Sequence, residues 1–129
     1  MSLGRILVVD DDPQIRRVMR STLTAHGYEV NDARSGEECL QQLRNGPCDL
    51  VLLDMNMPGM GGMEACRMIR SGSEVAIVML TVNNTERQKV DALDAGADDY
   101  VVKPFDAHHL NARLRLLARI KRLEHHTNL

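Results

Sequence analysis

The sequence predicts an α/β domain in which five parallel strands alternate with five helices. Five short apolar runs alternate with segments whose apolar residues recur at helical spacing, and this alternation carries the prediction. Strands that are joined by helices run parallel, and such a sheet has helices on both faces. For a single domain of 129 residues, the common doubly wound strand order is 2-1-3-4-5, which is the flavodoxin-like arrangement.

The first half of the chain predicts three strands and two helices. Asp12 and Pro13 suit the N-cap and the first position of helix one, and Ser35 opens a capping box for helix two. The run 50–54 is apolar throughout, which is typical of a central strand. The predicted elements are strand one at 6–9, helix one from 13 to about 26, an edge strand two at 28–33, helix two from 36 to about 45, and strand three at 50–54. In helix one, the side chains predicted to face the core are Ile15, Val18, Met19 and Leu23.

The second half of the chain predicts two more strands and three helices. Thr85 suits the N-cap of helix four and Asp106 that of helix five, while Gly96 ends helix four. The predicted elements are helix three from about 61 to 70, strand four at 76–80, helix four, strand five at 99–102, and helix five. The side chains predicted to face inward are Met63, Cys66 and Ile69 in helix three and Val90 and Leu93 in helix four, while Leu110, Leu114 and Leu117 lie on one face of helix five.

Composition and charge exclude several classes of protein. The formal net charge of −2 argues against a basic nucleic-acid surface. Cys39, Cys48 and Cys66 lack CxxC spacing, which favours buried or half-buried thiols in a reducing cytoplasm over a metal or redox site. No apolar run approaches the roughly 20 residues of a membrane-spanning helix. We expect one functional domain at 4–122 and a tail or the start of a linker at 123–129.

The polar residues that could bind a ligand or take part in chemistry all lie at or just after the ends of predicted strands. Asp10 and Asp11 follow strand one, and Asp54 ends strand three. Thr81 follows strand four, and Lys103 follows strand five. Doubly wound sheets bind ligands outside the carboxyl ends of their strands, at the point where strands one and three lie side by side. We therefore expect the three carboxylates to converge there, with Thr81 and Lys103 beside them.

Three converging carboxylates need a cation. At about 4 Å and an effective dielectric of about 20, each pair repels by roughly 4 kcal/mol. Oxygen ligands suit Mg²⁺ or Mn²⁺, and a hard divalent ion with free water positions also suits a phosphoryl group. Lys103 can neutralise one phosphoryl oxygen, and the Thr81 hydroxyl can donate to another. Such a site favours phosphoryl transfer, with Asp54 as the best candidate for the acceptor.

Each of these residues also has an ordinary structural explanation. Asp10 and Asp11 could cap helix one, as Asp12 is expected to do. Thr81 alone could be a plain strand-end residue, and Lys103 alone a solvated lysine. A cap does not need three acids, however, and the shared sheet end favours a common site.

Four motifs in this order resemble the receiver domain of two-component response regulators. The motifs are Ile6-Leu7-Val8-Val9-Asp10-Asp11, Leu52-Leu53-Asp54-Met55-Asn56-Met57-Pro58-Gly59, Met79-Leu80-Thr81 and Lys103-Pro104-Phe105. The resemblance covers residues 5 to about 120. It implies that Asp54 accepts a phosphoryl group from a histidine kinase. It also implies that Asp10, Asp11, Asp54 and the backbone carbonyl of Asn56 hold the metal, and that Thr81 and Lys103 contact the phosphoryl group.

The same resemblance implies how the signal leaves the site. Thr81 and Tyr100 occupy the family's switch positions, which act on the face formed by helix four, strand five and helix five. The peptide between Lys103 and Pro104 is expected to be cis. Such a domain catalyses its own phosphorylation and slow hydrolysis and is not a conventional enzyme.

The segment around strand five closely resembles the subfamily whose receivers dimerise and carry a winged-helix DNA-binding domain. Its charged dimer positions correspond here to Lys89, Asp98, Asp99 and Arg113. Two positions depart from the subfamily, because His109 replaces a Glu and Ile120 replaces an Arg, for which Arg119 could substitute. The alternative is that these charges form a solvated face, since single surface ion pairs contribute little. Any DNA binding would belong to a segment outside this chain.

Two other functions compete with a phosphorylation switch. A Mg²⁺-dependent phosphohydrolase would need a general acid or base beside the nucleophile, and Asn56, two residues after Asp54, cannot serve. A phosphorylation-independent interaction module would not need the full set of acids, Thr and Lys. The sequence therefore favours the switch, with the interaction module as the alternative.

Overall fold

The computed structural model describes residues 3–82, 85–103 and 110–115. Its five strands form one parallel sheet in the order β2-β1-β3-β4-β5, which confirms the predicted fold class. In chain order the elements are β1 Arg5–Val9, α1 Pro13–Ala25, β2 Glu29–Ala33, α2 Gly36–Asn45, β3 Leu50–Asp54, α3 Gly62–Gly72, β4 Ala76–Thr81, α4 Glu86–Asp94 and β5 Asp99–Val102. Residues 110–115 are also helical.

The sheet is buried on both faces. Every residue of β3 and β4 is buried, which explains why the sequence shows them as unbroken apolar runs. In the edge strand β2 only Val30 and Ala33 are buried, and the other three residues are exposed or half-buried. Because successive side chains of a strand point to opposite faces, Leu7 and Val9 pack with Leu53 in one apolar core, and Val8 packs with Leu52 in the other.

Three of the four predicted helix N-caps are confirmed. The Asp12 carboxylate accepts a hydrogen bond from the Gln14 backbone N–H at 2.9 Å. Ser35 accepts from the Glu38 backbone N–H at 3.2 Å, and Thr85 does the same for Gln88 at 3.2 Å. Each cap satisfies one of the backbone donors that a helix leaves unpaired at its start. The local sequence therefore fixes where these helices begin.

Three of the side chains predicted to face the core do not. Val18 is 62% exposed, Val90 50% and Leu93 42%. On α1 the buried stripe is centred on Met19 and Leu23, four residues apart, so Val18 lies to one side of it. On α4 the buried residue is Ala92, which belongs to the same apolar core as Met79 and Tyr100. The predicted positions of Asp106 and Leu117 lie outside the described residues.

The thiols lie where the sequence predicts them. Cys39 and Cys66 are buried and Cys48 is half-buried, and all three are free. Burial raises the pKa of the Cys39 thiol to about 12, which makes it an apolar filler at neutral pH. None of the helices in the described part of the chain has the length and apolar character to cross a membrane.

Candidate functional site

The strand register brings the predicted acidic residues to one point. Val9 of β1 pairs with Leu53 of β3, so Asp10 and Asp54 leave the sheet at the same level. Carboxylate oxygens of Asp10, Asp11 and Asp54 all lie within 4.8 Å of one another. Asp10 and Asp54 are buried, whereas Asp11 is exposed. The cluster is thus open to solvent on one side.

Lys103 lies against this cluster from β5. Its Nζ is 3.0 Å from Asp10 Oδ2 and 3.5 Å from Asp54 Oδ1. Its backbone N–H donates to the Thr81 carbonyl at 2.6 Å, which holds the residue just beyond β5 at the end of β4. Thr81 itself is fully buried at the last position of β4. The structure therefore brings Lys103 into direct contact with two of the carboxylates and places Thr81 at the same sheet end.

The charges at this site are not balanced. Burial, followed by the neighbouring Asp10 carboxylate, raises the pKa of Asp54 from 3.8 to about 6. Lys103 and the Asn56 backbone N–H, which is 3.3 Å from Asp54 Oδ1, act in the opposite direction but do not compensate. A single ammonium group cannot neutralise three carboxylates.

This donor set fits a hard divalent cation. Three carboxylate oxygens within 4.8 Å of one another can bind one Mg²⁺, which prefers oxygen ligands and keeps several waters. The exposed side of the cluster at Asp11 leaves room for those waters. Burial raises the pKa of Asp54 most and the Asp10 carboxylate adds to it, so a cation bound here would favour the ionised form of Asp54.

The turn after β3 is shaped by glycines. Gly59 has a φ of +75°, a conformation that L side chains rarely adopt. Gly62, at the start of α3, packs so tightly on the end of β3 that a Cβ there would overlap the Asp54 carbonyl oxygen. Asn56, the predicted contributor of a backbone carbonyl, lies in this turn with an exposed side chain. The sequence reasoning missed Gly62, although the Gly61-Gly62 pair was a visible signal.

Tyr100, the predicted switch residue, is buried. It lies in β5 opposite Met79 of β4 and is 6% exposed. Its ring is part of the apolar core that also contains Val9 and Leu53. The structure thus shows Tyr100 in an inward position, two strands away from Asp54.

Two of the predicted dimer residues, Asp98 and Asp99, have partners within the described part of the chain. Asp98 is held within the chain, because its Oδ2 lies 2.9 Å from Arg70 Nη2 and accepts the Ile77 backbone N–H at 2.9 Å. Asp99 lies 3.5 Å from Arg113 Nε in the same chain. Lys89 is exposed on α4. The predictions for Arg119, His109, Ile120 and Pro104 concern positions outside the described residues.

Two arginines that the sequence reasoning did not single out have defined partners. Arg70 of α3 donates to the Gly96 carbonyl at 3.0 Å as well as to Asp98. Arg16 of α1 donates from Nη1 to the Asp10 carbonyl at 2.7 Å. No local sequence pattern marks either arginine, because its partners become neighbours only when the chain folds.

The comparisons with known proteins agree on one family. The sequence pattern of the response regulator receiver domain matches residues 6–115. Response regulator MprA of Mycobacterium sp. (strain KMS) is 46% identical over 116 residues, which cover 89% of this chain and 50% of that protein. Transcriptional regulatory protein ResD of Bacillus subtilis (strain 168) is 41% identical over 115 residues, covering 89% of this chain and 48% of that protein. The chain thus spans about half the length of these curated relatives.

A solved structure supports the same assignment. Response regulator protein TrrA of Thermotoga maritima was crystallised in complex with Mg²⁺ and BeF. It matches with a TM-score of 0.81 and 40% identity, covering 89% of this chain and 99% of that one. The similarity therefore extends over the whole of a receiver domain.

Proposed function

The chain belongs to the response regulator receiver family, and we propose that it is a phosphorylation-activated signalling switch with Asp54 as its phosphoacceptor. The phosphoryl group would come from a sensor histidine kinase in a Mg²⁺-dependent reaction. One observation carries the proposal: Asp54 lies in a cluster with the carboxylates of Asp10 and Asp11, and Lys103 lies against it. This combination suits a metal ion and a phosphoryl group together.

The residues of the site have complementary roles in this reaction. With a pKa of about 6, the Asp54 carboxylate is mostly ionised at neutral pH and can act as nucleophile. Its oxygen forms a bond to phosphorus while the bond from phosphorus to the donor's histidine nitrogen breaks, and that nitrogen keeps the electron pair. Bound Mg²⁺, held by Asp10, Asp11, Asp54 and the carbonyl of Asn56, would supply charge neutralisation at the phosphoryl oxygens.

Lys103 and Thr81 would hold the transferred group. Lys103 Nζ already lies 3.5 Å from Asp54 Oδ1, so a small movement would bring it to a phosphoryl oxygen attached there. The Thr81 hydroxyl would donate to another oxygen. The domain would thus catalyse its own phosphorylation and slow hydrolysis and would not turn over a separate substrate.

The output would leave through α4, β5 and the helix that contains residues 110–115. Thr81 and Tyr100 lie in the neighbouring strands β4 and β5, which gives a short path from the site to this face. Shifting a two-state equilibrium from 1:99 to 99:1 takes about 5.5 kcal/mol. A few charge-assisted hydrogen bonds to the phosphoryl group, at roughly 1.5–3 kcal/mol each, would supply that difference.

The partner on this face would be a second copy of the chain. Exposed Val90 and Leu93 give α4 an apolar surface beside the charged Lys89. Asp99, Arg113 and Arg119 would contribute charged contacts. Asp98 would join them only if its bond to Arg70 were exchanged. Sedimentation with a phosphate mimic tests this interface, and a monomer in both states would refute it.

We also propose a setting for the domain within a larger protein. The receiver would occupy residues 4–122, with 123–129 as a tail or the start of a linker. Because the relatives are about twice as long and ResD is named a transcriptional regulator, the output would be transcriptional. DNA would be contacted only through a segment outside this chain, and the protein would act in the cytoplasm.

Intact mass spectrometry tests the central proposal. Wild type, Asp54→Asn and Asp12→Asn are incubated with Mg²⁺ and acetyl phosphate. We expect one phosphoryl group on wild type and on Asp12→Asn, because Asn can still cap α1, and none on Asp54→Asn. The adduct should be stable in acid and labile in base. If wild type gains no phosphoryl group although calorimetry shows that it binds Mg²⁺, the switch is refuted and the phosphorylation-independent interaction module replaces it.

A further inference from the structure

Asp10 has an unusually complete set of hydrogen bonds for a residue in an acidic cluster. Its backbone N–H donates to the Ala33 carbonyl at 3.1 Å. Its Oδ1 accepts from the Asp12 backbone N–H at 2.9 Å, and its Oδ2 accepts from Lys103 at 3.0 Å. The remaining polar atom, the backbone carbonyl oxygen, accepts from Arg16 Nη1 at 2.7 Å. Each polar atom of this 1% exposed residue therefore has a partner.

Arg16 connects the ends of two strands. While its Nη1 holds the Asp10 carbonyl just after β1, its Nε lies 3.4 Å from Asp32 Oδ2 in β2. The arginine side chain is only 18% exposed. Asp32 is itself fixed, because its backbone carbonyl accepts from Gln42 Nε2 at 2.8 Å. The guanidinium of Arg16 thus bridges the Asp32 carboxylate and the Asp10 backbone carbonyl, and Asp32 helps to fix its position.

The orientation of the Asp10 carbonyl affects the directions in which two carboxylate side chains point. The Asp10 carbonyl and the Asp11 N–H belong to one planar peptide group. A hydrogen bond to that carbonyl fixes the plane, and the plane sets the directions in which the Asp10 and Asp11 side chains leave the backbone. These two residues supply two of the three carboxylates in the cluster.

We propose that Arg16 is a positioning residue for the divalent-cation site. It holds the peptide between Asp10 and Asp11 in the orientation that aims both carboxylates at the ion, with Asp32 as the anchor for its guanidinium. The planar guanidinium can contact a carbonyl and a carboxylate at once, which a lysine ammonium at the same position cannot reproduce. This inference rests on the proposed Mg²⁺-dependent function and deepens it.

Positioning and simple electrostatics predict opposite effects. Arg16 carries a positive charge close to a site for a cation, so removing that charge would strengthen Mg²⁺ binding if Coulomb repulsion were its main effect. If Arg16 orients the ligands, its removal weakens Mg²⁺ binding instead. Changes to residues that orient metal ligands typically cost 10–100-fold in affinity. The sign of the change therefore separates the two roles.

The experiment compares Arg16→Gln, Arg16→Lys and Arg20→Gln with wild type. Arg20 is the matched control, because it also approaches Asp32, at 3.6 Å, but is more exposed and has no bond to Asp10. Mg²⁺ affinity is measured by isothermal titration calorimetry on the whole chain, after circular dichroism has shown that each variant is folded. We expect about tenfold weaker binding for both Arg16 variants and less than a twofold change for Arg20→Gln.

Three outcomes would overturn the inference. They are unchanged or tighter Mg²⁺ binding in Arg16→Gln, full retention of affinity in Arg16→Lys, and an equal loss in Arg20→Gln. Phosphorylation by acetyl phosphate is followed separately at saturating Mg²⁺, where we expect Arg16→Gln to recover to within a few fold of wild type. If wild type binds Mg²⁺ but is not phosphorylated, the proposed function fails while the affinity comparison still decides the role of Arg16.

Discussion

The two ends of the sheet differ in whether their buried charges are balanced by groups of the chain itself. At the carboxyl end, Lys103 contacts two of the three clustered carboxylates, and the pKa of Asp54 is raised to about 6. At the amino end of β4 and β5, one arginine meets one aspartate. Arg70 donates to Asp98 and to the carbonyls of Gly96, Ser73 and Val75, and Asp98 also accepts the Ile77 backbone N–H.

The two ends of the sheet therefore differ in role: the amino end stabilises the fold, and the carboxyl end is suited to bind a ligand. The amino end is balanced by groups of the protein itself, so its polar contacts hold β4, β5 and α3 together. Above the raised pKa of Asp54, the carboxyl end keeps an excess of negative charge, which costs stability until a cation binds. Helix α3 reaches both ends, since Gly62 lies at the site and Arg70 at the balanced pair.

Two glycines of α3 provide the largest expected difference between the ends. A Cβ on Gly62 would overlap the Asp54 carbonyl oxygen and lie 2.7 Å from Met55 Cα, whereas a Cβ on Gly72 meets nothing within 4 Å. We expect Gly62→Ala to lower the free energy of unfolding by about 3 kcal/mol, because backbone must move to admit the methyl group. Gly72→Ala should change it by less than about 1 kcal/mol. Urea unfolding of both variants measures this, and equal stability of the two would refute the close approach of α3 to β3.

The pH dependence of stability provides the next largest effect. The pKa of Asp54 is 3.8 without its surroundings and about 6 in the folded protein. Below the lower value both states hold the proton and there is no penalty. As the pH rises towards 6, the unfolded state loses its proton first, so the folded state loses stability, and the loss is complete above the folded pKa. A shift of about two units corresponds to roughly 3 kcal/mol as an upper value.

Asp54→Asn tests this penalty directly. Without divalent ions, we expect the variant to be more stable than wild type by about 2 to 3 kcal/mol above pH 7, with the difference disappearing near pH 4. Saturating Mg²⁺ should reduce the difference, because the ion stabilises the folded wild type. Urea unfolding at both pH values, with and without Mg²⁺, provides the measurement. An Asp54→Asn protein less stable than wild type at neutral pH would contradict the excess of negative charge.

The balanced pair should respond in the opposite direction. Arg70→Gln removes an ion pair whose side chains are only 24% and 20% exposed, and we expect a loss of about 2 kcal/mol at every pH between 5 and 8. Arg67→Gln, on the exposed side of the same helix, should change stability by less than about 0.5 kcal/mol. Mg²⁺ affinity should stay the same in both variants. A loss of Mg²⁺ binding in Arg70→Gln would show that the two ends are coupled.

The sequence by itself determined the sheet and the site residues that end its strands. Strand order followed from the alternation of strands and helices, because parallel connections allow few topologies at this size. The convergence of Asp10, Asp11 and Asp54 followed from that order, since the carboxyl ends of parallel strands lie at one edge. Caps such as Asp12 were equally predictable, because each interaction spans only a few residues.

Only the tertiary structure decided which helix side chains are buried and which charges meet. Val18, Val90 and Leu93 are exposed because the rotation of each helix on the sheet depends on the volumes of all the side chains beneath it. The contact between Arg70 and Asp98 joins residues 28 positions apart, and the bond from Arg16 to the Asp10 carbonyl depends on how α1 lies against β1. Helix periodicity shows that a face exists, but packing decides which atoms the face meets.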